Sequence, residues 1–145
     1  MLLCISLCPT MLLQAQVNLP NKKQSEAVSA VINTYSKARK TSDTGLLKRI
    51  LTTDVDQLVS TGEWRKGMDE AVQGMLKSSS NSPGQRTLHI ETIRMLNANA
   101  ALVDCRYEIQ NRDSSVRKMW STFIVIATKE AWKIAAIRNM APTGQ

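Results

Sequence analysis

A chain of 145 residues with 43% hydrophobic and 21% charged residues makes one domain with a real core, and it excludes wholesale disorder. Nineteen Lys and Arg against twelve Asp and Glu give a formal charge of +7. The basic residues are nevertheless scattered, and aromatics make up only 4%, which argues against a stacking surface for nucleic acid.

Residues 1–15, MLLCISLCPTMLLQA, are uncharged and rich in Leu, Met, Ile and Cys, with the small Ala15 at the end. They read as a signal peptide, too short for a spanning helix of about 20 apolar residues. The expectation is a secreted or periplasmic protein without stable membrane insertion. Removal after Ala15 leaves Cys105 as the one cysteine, so no intrachain disulfide is expected. With one histidine as well, an ordinary zinc site is not expected, and no cofactor is predicted.

Residues 16–24 read as a polar leader and 25–140 as the folded domain. Ser25 can cap a first helix carrying Val28, Val31, Ile32 and Tyr35 on one stripe and ending in Lys37, Arg39 and Lys40. Ser42 or Asp43 can cap a short second helix that buries Leu46, Leu47, Ile50 and Leu51. DVDQLVSTGEW (54–64) reads as a short strand closing at Gly62. RKGMDEAVQGMLKSS (65–79) is a third helix with Met68, Ala71, Val72, Met75 and Leu76 as its stripe. SSSNSPGQ (78–85) reads as a flexible loop.

From Arg86 onward the period becomes two, predicting strands near 86–97, 100–111, 116–128 and 131–139 joined by short turns. Helices first and an antiparallel meander afterwards mean an α+β fold. Several strands carry apolar residues on both apparent faces: Ile124 and Ile126 against Phe123 and Val125, and Trp132 and Ile134 against Ile137. The sheet should therefore curl around a pocket, lie in a dimer interface, or both.

This element order resembles the nuclear transport factor 2-like superfamily, and within it the SnoaL-like branch, which includes many small secreted bacterial proteins of unknown function. SDTGLLKRILTTDVDQLVSTGEWRKGMDEAVQGM is similar to the family's second helix, first strand and third helix, with Asp43, Gly62 and Gly67 at the expected places. LNANAALVDCRYEI resembles a family turn and strand. MWSTFIVIATKEAWKIAAIRN resembles the paired C-terminal strands with Trp120, Trp132 and an Arg-Asn ending. The resemblance covers about residues 25–140. It implies a cone-shaped fold with three N-terminal helices on a strongly curved, mainly antiparallel sheet, an apolar pocket at the open end, and frequent homodimers through the outer sheet face.

Enzymes of that superfamily include steroid isomerases, dehydratases, epoxide hydrolases and polyketide cyclases, whose dry pockets raise the pKa of a catalytic carboxylate. Strand alternation places His89, Glu91 and Ile93 on one face, and Asp104, Arg106 and Glu108 on another. Asp104 or Glu91 is thus a candidate base, with Arg106 or His89 in support. The alternative for each is a structural pair, for instance with Arg94 or Arg117. Which face is concave is not fixed by alternation, because one bulge reverses everything after it. Tyr35, Trp64, Trp120 and Arg138 are candidate ligand-binding residues.

Three functions follow from this reading. The first is a secreted, homodimeric domain binding a small, largely apolar molecule. The second is a cofactor-free enzyme of the isomerase, cyclase or dehydratase type. The third is a non-catalytic dimeric accessory module.

Overall fold

The computed structural model describes residues 19–142, so the predicted signal peptide lies outside the described residues. Helix α1 runs Lys22–Thr41, starting within the segment read as leader. Its cap is Asn21 rather than Ser25. The Asn21 side chain accepts from the Gln24 amide (2.9 Å) and the Gln24 side chain accepts from the Asn21 amide (3.1 Å), a reciprocal capping box. Ser42 closes α1 at φ 54°, and the neighbouring Asp43 opens α2 (Thr44–Ile50) by accepting from the Leu46 amide at 2.8 Å.

The segment read as one short strand (54–64) belongs to a hairpin, β1 (Leu51–Leu58) and β2 (Trp64–Lys66), so Arg65 and Lys66, read as the start of the third helix, are in a strand instead. Gly62 at φ 90° supplies the turn conformation that lets Trp64–Lys66 pair back on Asp56–Leu58. Helix α3 is Met68–Asn81; it includes Ser78 and Ser79, which lie in both the predicted helix and the predicted loop, and absorbs Ser80 and Asn81, expected in the loop alone. The meander follows as β3 (Gly84–Asn97), β4 (Ala100–Asn111), β5 (Val116–Ala127) and β6 (Trp132–Met140).

The six strands form one sheet in the order β2-β1-β6-β5-β4-β3, with only β1 and β6 parallel. Register shifts interrupt the pairing in β1/β6, β3/β4 and β5/β6. Such bulges add twist and curl the sheet into a cone, whose concave face the three helices cover. Val28, Val31, Ile32 and Tyr35 of α1, Leu47 of α2 and Val72 and Met75 of α3 are buried against Val103, Cys105, Phe123, Val125 and Ile134. Each such side chain contributes about 1.5–3 kcal/mol by leaving water.

The bulges also explain the strands with apolar residues on both apparent faces. In β6, Val125 pairs with Ile134 while Ile124 pairs with Ala136, so Ala135 is the extra residue. Trp132 and Ile134 point into the core before the bulge and Ile137 does so after it, with Asn139 on the same face at the cavity. Arg138 and Met140 consequently face outward, and Arg138 does not share a face with Ile134. In β3, Ile90 pairs with Cys105 and Thr92 with Asp104, leaving Glu91 as the extra residue. His89 and Glu91 therefore stay outside while Ile93 turns inward, separating a trio that simple alternation puts together.

Candidate functional site

At one end of the cone several elements stop together: the β1–β2 turn, the last turn of α3, the start of β3 and β5, and the ends of β4 and β6. They enclose a cavity of about 360 Å³. Its apolar wall is Val59, Ile109 and Met119. Its charged lining is Arg39, Arg65 and Arg86, with Lys77 and Arg117 at the exposed rim and Glu63 as the acidic lining residue. Beside that apolar wall the cavity thus carries a strongly cationic lining not expected from the sequence.

The three arginines are 7%, 6% and 9% exposed, which makes their charge expensive to hold unless it is partnered. Arg39 Nη1 donates to the Tyr35 hydroxyl (3.0 Å), and its Nη2 to the Met75 carbonyl and the Ser79 hydroxyl (3.3 Å each). Arg65 donates from Nε to the Glu63 carboxylate (2.8 Å), from Nη1 to Gln57 Oε1 (3.3 Å) and from Nη2 to the Ser78 hydroxyl (3.1 Å). Arg86 donates to the carbonyls of Gly84 (3.2 Å), Ser78 (3.2 Å) and Ser82 (2.8 Å), while its buried Nε has no hydrogen-bond partner among the described residues.

All three guanidiniums converge on the last turn of α3. Arg65 binds the Ser78 hydroxyl, Arg39 the Met75 carbonyl and Ser79 hydroxyl, and Arg86 the Ser78 and Ser82 carbonyls, all at the negative end of the helix dipole. These contacts hold the helix through Ser80 and Asn81 despite their loop-like composition. Burial alone would pull the Arg39 guanidinium down, but the phenols of Tyr35 and Tyr107 hold it above its ordinary value, so it stays charged. Burial pushes the Tyr107 phenol up, with Arg39 and Arg86 acting in the opposite direction. Tyr107 therefore lines the cavity as a neutral hydroxyl that can donate to an anion. Asn139 completes the lining and accepts from Ser121 Oγ at 2.7 Å.

Most of the residues nominated by the sequence lie elsewhere. Glu91, Asp104, Arg106 and His89 stand on the convex face, away from this cavity. Arg106 is paired with Glu91, and Asp104 accepts from Thr122 (2.6 Å) and Thr92 (3.2 Å). Trp120 is exposed on the same face opposite Arg106. Trp64 and Arg138 do meet, with the guanidinium 4.7 Å from the indole centroid, but Arg138 is also held by both oxygens of Asp56 (2.9 and 3.1 Å). Tyr35 is inside, edge-on to Phe123 at 5.2 Å, where it supports Arg39 rather than lining the cavity.

The arginines that line it carried a signal in the sequence. Arg39 continues the stripe of Ile32 and Tyr35 at helical spacing, and Arg86 alternates in phase with Leu88 and Ile90. A basic residue on a buried stripe is the mark of an internal charge.

No known protein-family model matches this sequence, and no curated protein matches it. Solved structures do. A cystatin-like-fold domain of unknown function from Nostoc punctiforme superposes with a TM-score of 0.75 at 15% identity, over 85% of this chain and 80% of that one. An NTF-2 like protein of unknown function from Shewanella oneidensis gives 0.68 at 19% identity, over 80% and 98%. An NTF2-like protein with a cystatin-like fold from Novosphingobium aromaticivorans gives 0.73 at 14%, over 85% and 84%. The chain has the nuclear transport factor 2-like fold, as its sequence resemblance implied. At these identities the likeness establishes the fold alone.

Proposed function

We propose that this chain is an exported binding domain whose cavity at the open end of the cone holds a small anionic molecule. One observation carries the reading: three guanidiniums, each more than nine-tenths buried, line a single cavity that contains one acidic residue. Buried cations are normally matched by carboxylates, and Arg39 and Arg86 have only neutral oxygens. Val59, Ile109 and Met119 suit a short apolar portion of the same ligand. The uncharged apolar leader supports export, and among the described residues no helix is long and apolar enough to cross a membrane.

Binding is favoured over turnover because the carboxylates nominated as bases, Glu91 and Asp104, face away from this cavity. Glu63, the acidic residue in the lining, is tied to Arg65. Thermal unfolding of the full chain with butyrate, pentanoate and their neutral amides tests the reading. A ligand at a hundred times its dissociation constant adds about 2.7 kcal/mol. The carboxylates should raise the midpoint by several degrees, saturably, and the amides should not. Equal shifts with acid and amide would contradict an anion site.

A homodimer through the convex face is a second, compatible reading. It is favoured by exposed Trp120 and Met140, paired across β5 and β6, beside half-buried Leu102, Ile124 and Ile126. Sedimentation equilibrium of wild type and Trp120→Glu tests it, since only a convex-face dimer should dissociate in the variant.

A further inference from the structure

The count of charges and donors in the cavity goes further than "anion". Three guanidiniums face one carboxylate, Glu63, which leaves two buried positive charges. The end of α3 offsets about half a charge, and exposed Lys77 and Arg117 add two more at the rim. A single negative charge therefore leaves the cavity still cationic.

The donors tell the same story. Each guanidinium has five N–H groups, and Arg39, Arg65 and Arg86 each make three hydrogen bonds. Six N–H groups are thus unassigned, including the partnerless Nε of Arg86. One carboxylate has two oxygens with about four acceptor positions, too few for this set.

We infer that the ligand is a small dianion, with two negative charges on a short chain that seats one oxygen cluster among these guanidiniums. The inference rests on the anion-binding reading above. A dicarboxylate and a phosphate monoester share this chemistry and differ in whether the two charges are separated or on one group. Arg65 and Arg86 both reach Ser78, and Arg39 reaches the adjacent Ser79, so the three donors are neighbours around one helix turn. Glu63 competes with the ligand for Arg65. Its carboxyl is held below the usual range by its hydrogen bond and charge contact with Arg65, so it stays ionised at neutral pH.

The test is calorimetric titration of the full chain at pH 7.5 in low salt with glutarate, glycerol 3-phosphate, pentanoate and pentane-1,5-diol. Glutarate or glycerol 3-phosphate should bind at least about tenfold more tightly than pentanoate, and the better of the two identifies how the charges are arranged. Glu63→Gln, at an exposed side chain, should keep the fold and tighten dianion binding further. Equal affinity for pentanoate and the dianions overturns this inference while leaving an anion site intact. Binding of the diol alone, or of none of the four, overturns both readings. Unchanged dianion affinity in Glu63→Gln also counts against it, because the charge count then fails.

Discussion

The side chain of Arg65 lies across Gly74, in the interior of α3. A Cβ at residue 74 would sit 2.5 Å from Arg65 Cδ and Cζ, closer than side chains tolerate. Glycine in a helix interior costs about 0.5–1 kcal/mol relative to alanine, so its presence there needs a reason. The reason is the path of Arg65 to Gln57 and Ser78. Gly74→Ala should therefore gain helix propensity yet displace Arg65 and leave the buried Gln57 oxygen unsatisfied, a loss of about 1–3 kcal/mol. Anion affinity should fall severalfold while the far-ultraviolet dichroism is retained. Unchanged affinity would show that Arg65 does not touch the ligand.

Arg39 depends on Tyr35 in the same manner. Removing the hydroxyl in Tyr35→Phe deletes the 3.0 Å bond to Arg39 but preserves the edge-on contact with Phe123. Hydrogen bonds to a charged group contribute about 1.5–3 kcal/mol, and denaturant unfolding should register a loss of that size. The midpoint should drop with little change in the denaturant slope.

The outer face should behave differently. Asp56 and Arg138 pair with about a third of each side chain exposed, and Trp64 stacks on the same guanidinium. Asp56→Asn should cost no more than about 1 kcal/mol, as exposed pairs do. Anion affinity should be unaffected, because this pair sits across the sheet from the cavity. A large loss of binding would return Arg138 and Trp64 to the site.

Cys105 is fully buried in β4, and burial, helped by Asp104 and Glu91, pushes its thiol up to about 12 from 9.0. A raised pKa of this kind adds stability that is complete below pH 9 and is lost as pH climbs from 9 toward 12. At pH 8 only about one part in ten thousand is thiolate. Iodoacetamide should leave the Cys105 peptide unmodified in the folded chain and label it on unfolding, as read by mass spectrometry. Prompt labelling of native protein would contradict its burial.

The order of elements and the α+β class were legible because periodicity reports burial, and burial decides secondary structure in Val28–Tyr35 as in Leu102–Ile109. Side-chain direction was not legible beyond a bulge. Ala135 and Glu91 each shift the register by one residue, and no composition marks either as the extra one. The site was missed for a different reason. Arg39 sits in the last turn of α1, where a basic residue is ordinarily explained by the helix dipole. Its place on the apolar stripe was the better clue. Ser80 and Asn81 look like a loop because the end of α3 is held by side chains of Arg39, Arg65 and Arg86 from outside the helix, which local propensity does not register.

The most direct measurement is a nitrogen–proton correlation spectrum of the arginine side chains during titration with glutarate. The Nε–H signals of Arg39, Arg65 and Arg86 should move saturably and together, with Arg39 and Arg86 shifting more than Arg65, whose Nε is already bonded to Glu63. The signals of Arg106 and Arg138 on the convex face should stay in place. Shifts confined to Arg106 or Arg138, or no saturable shift at Arg39, Arg65 and Arg86, would contradict an anion site at the open end of the cone.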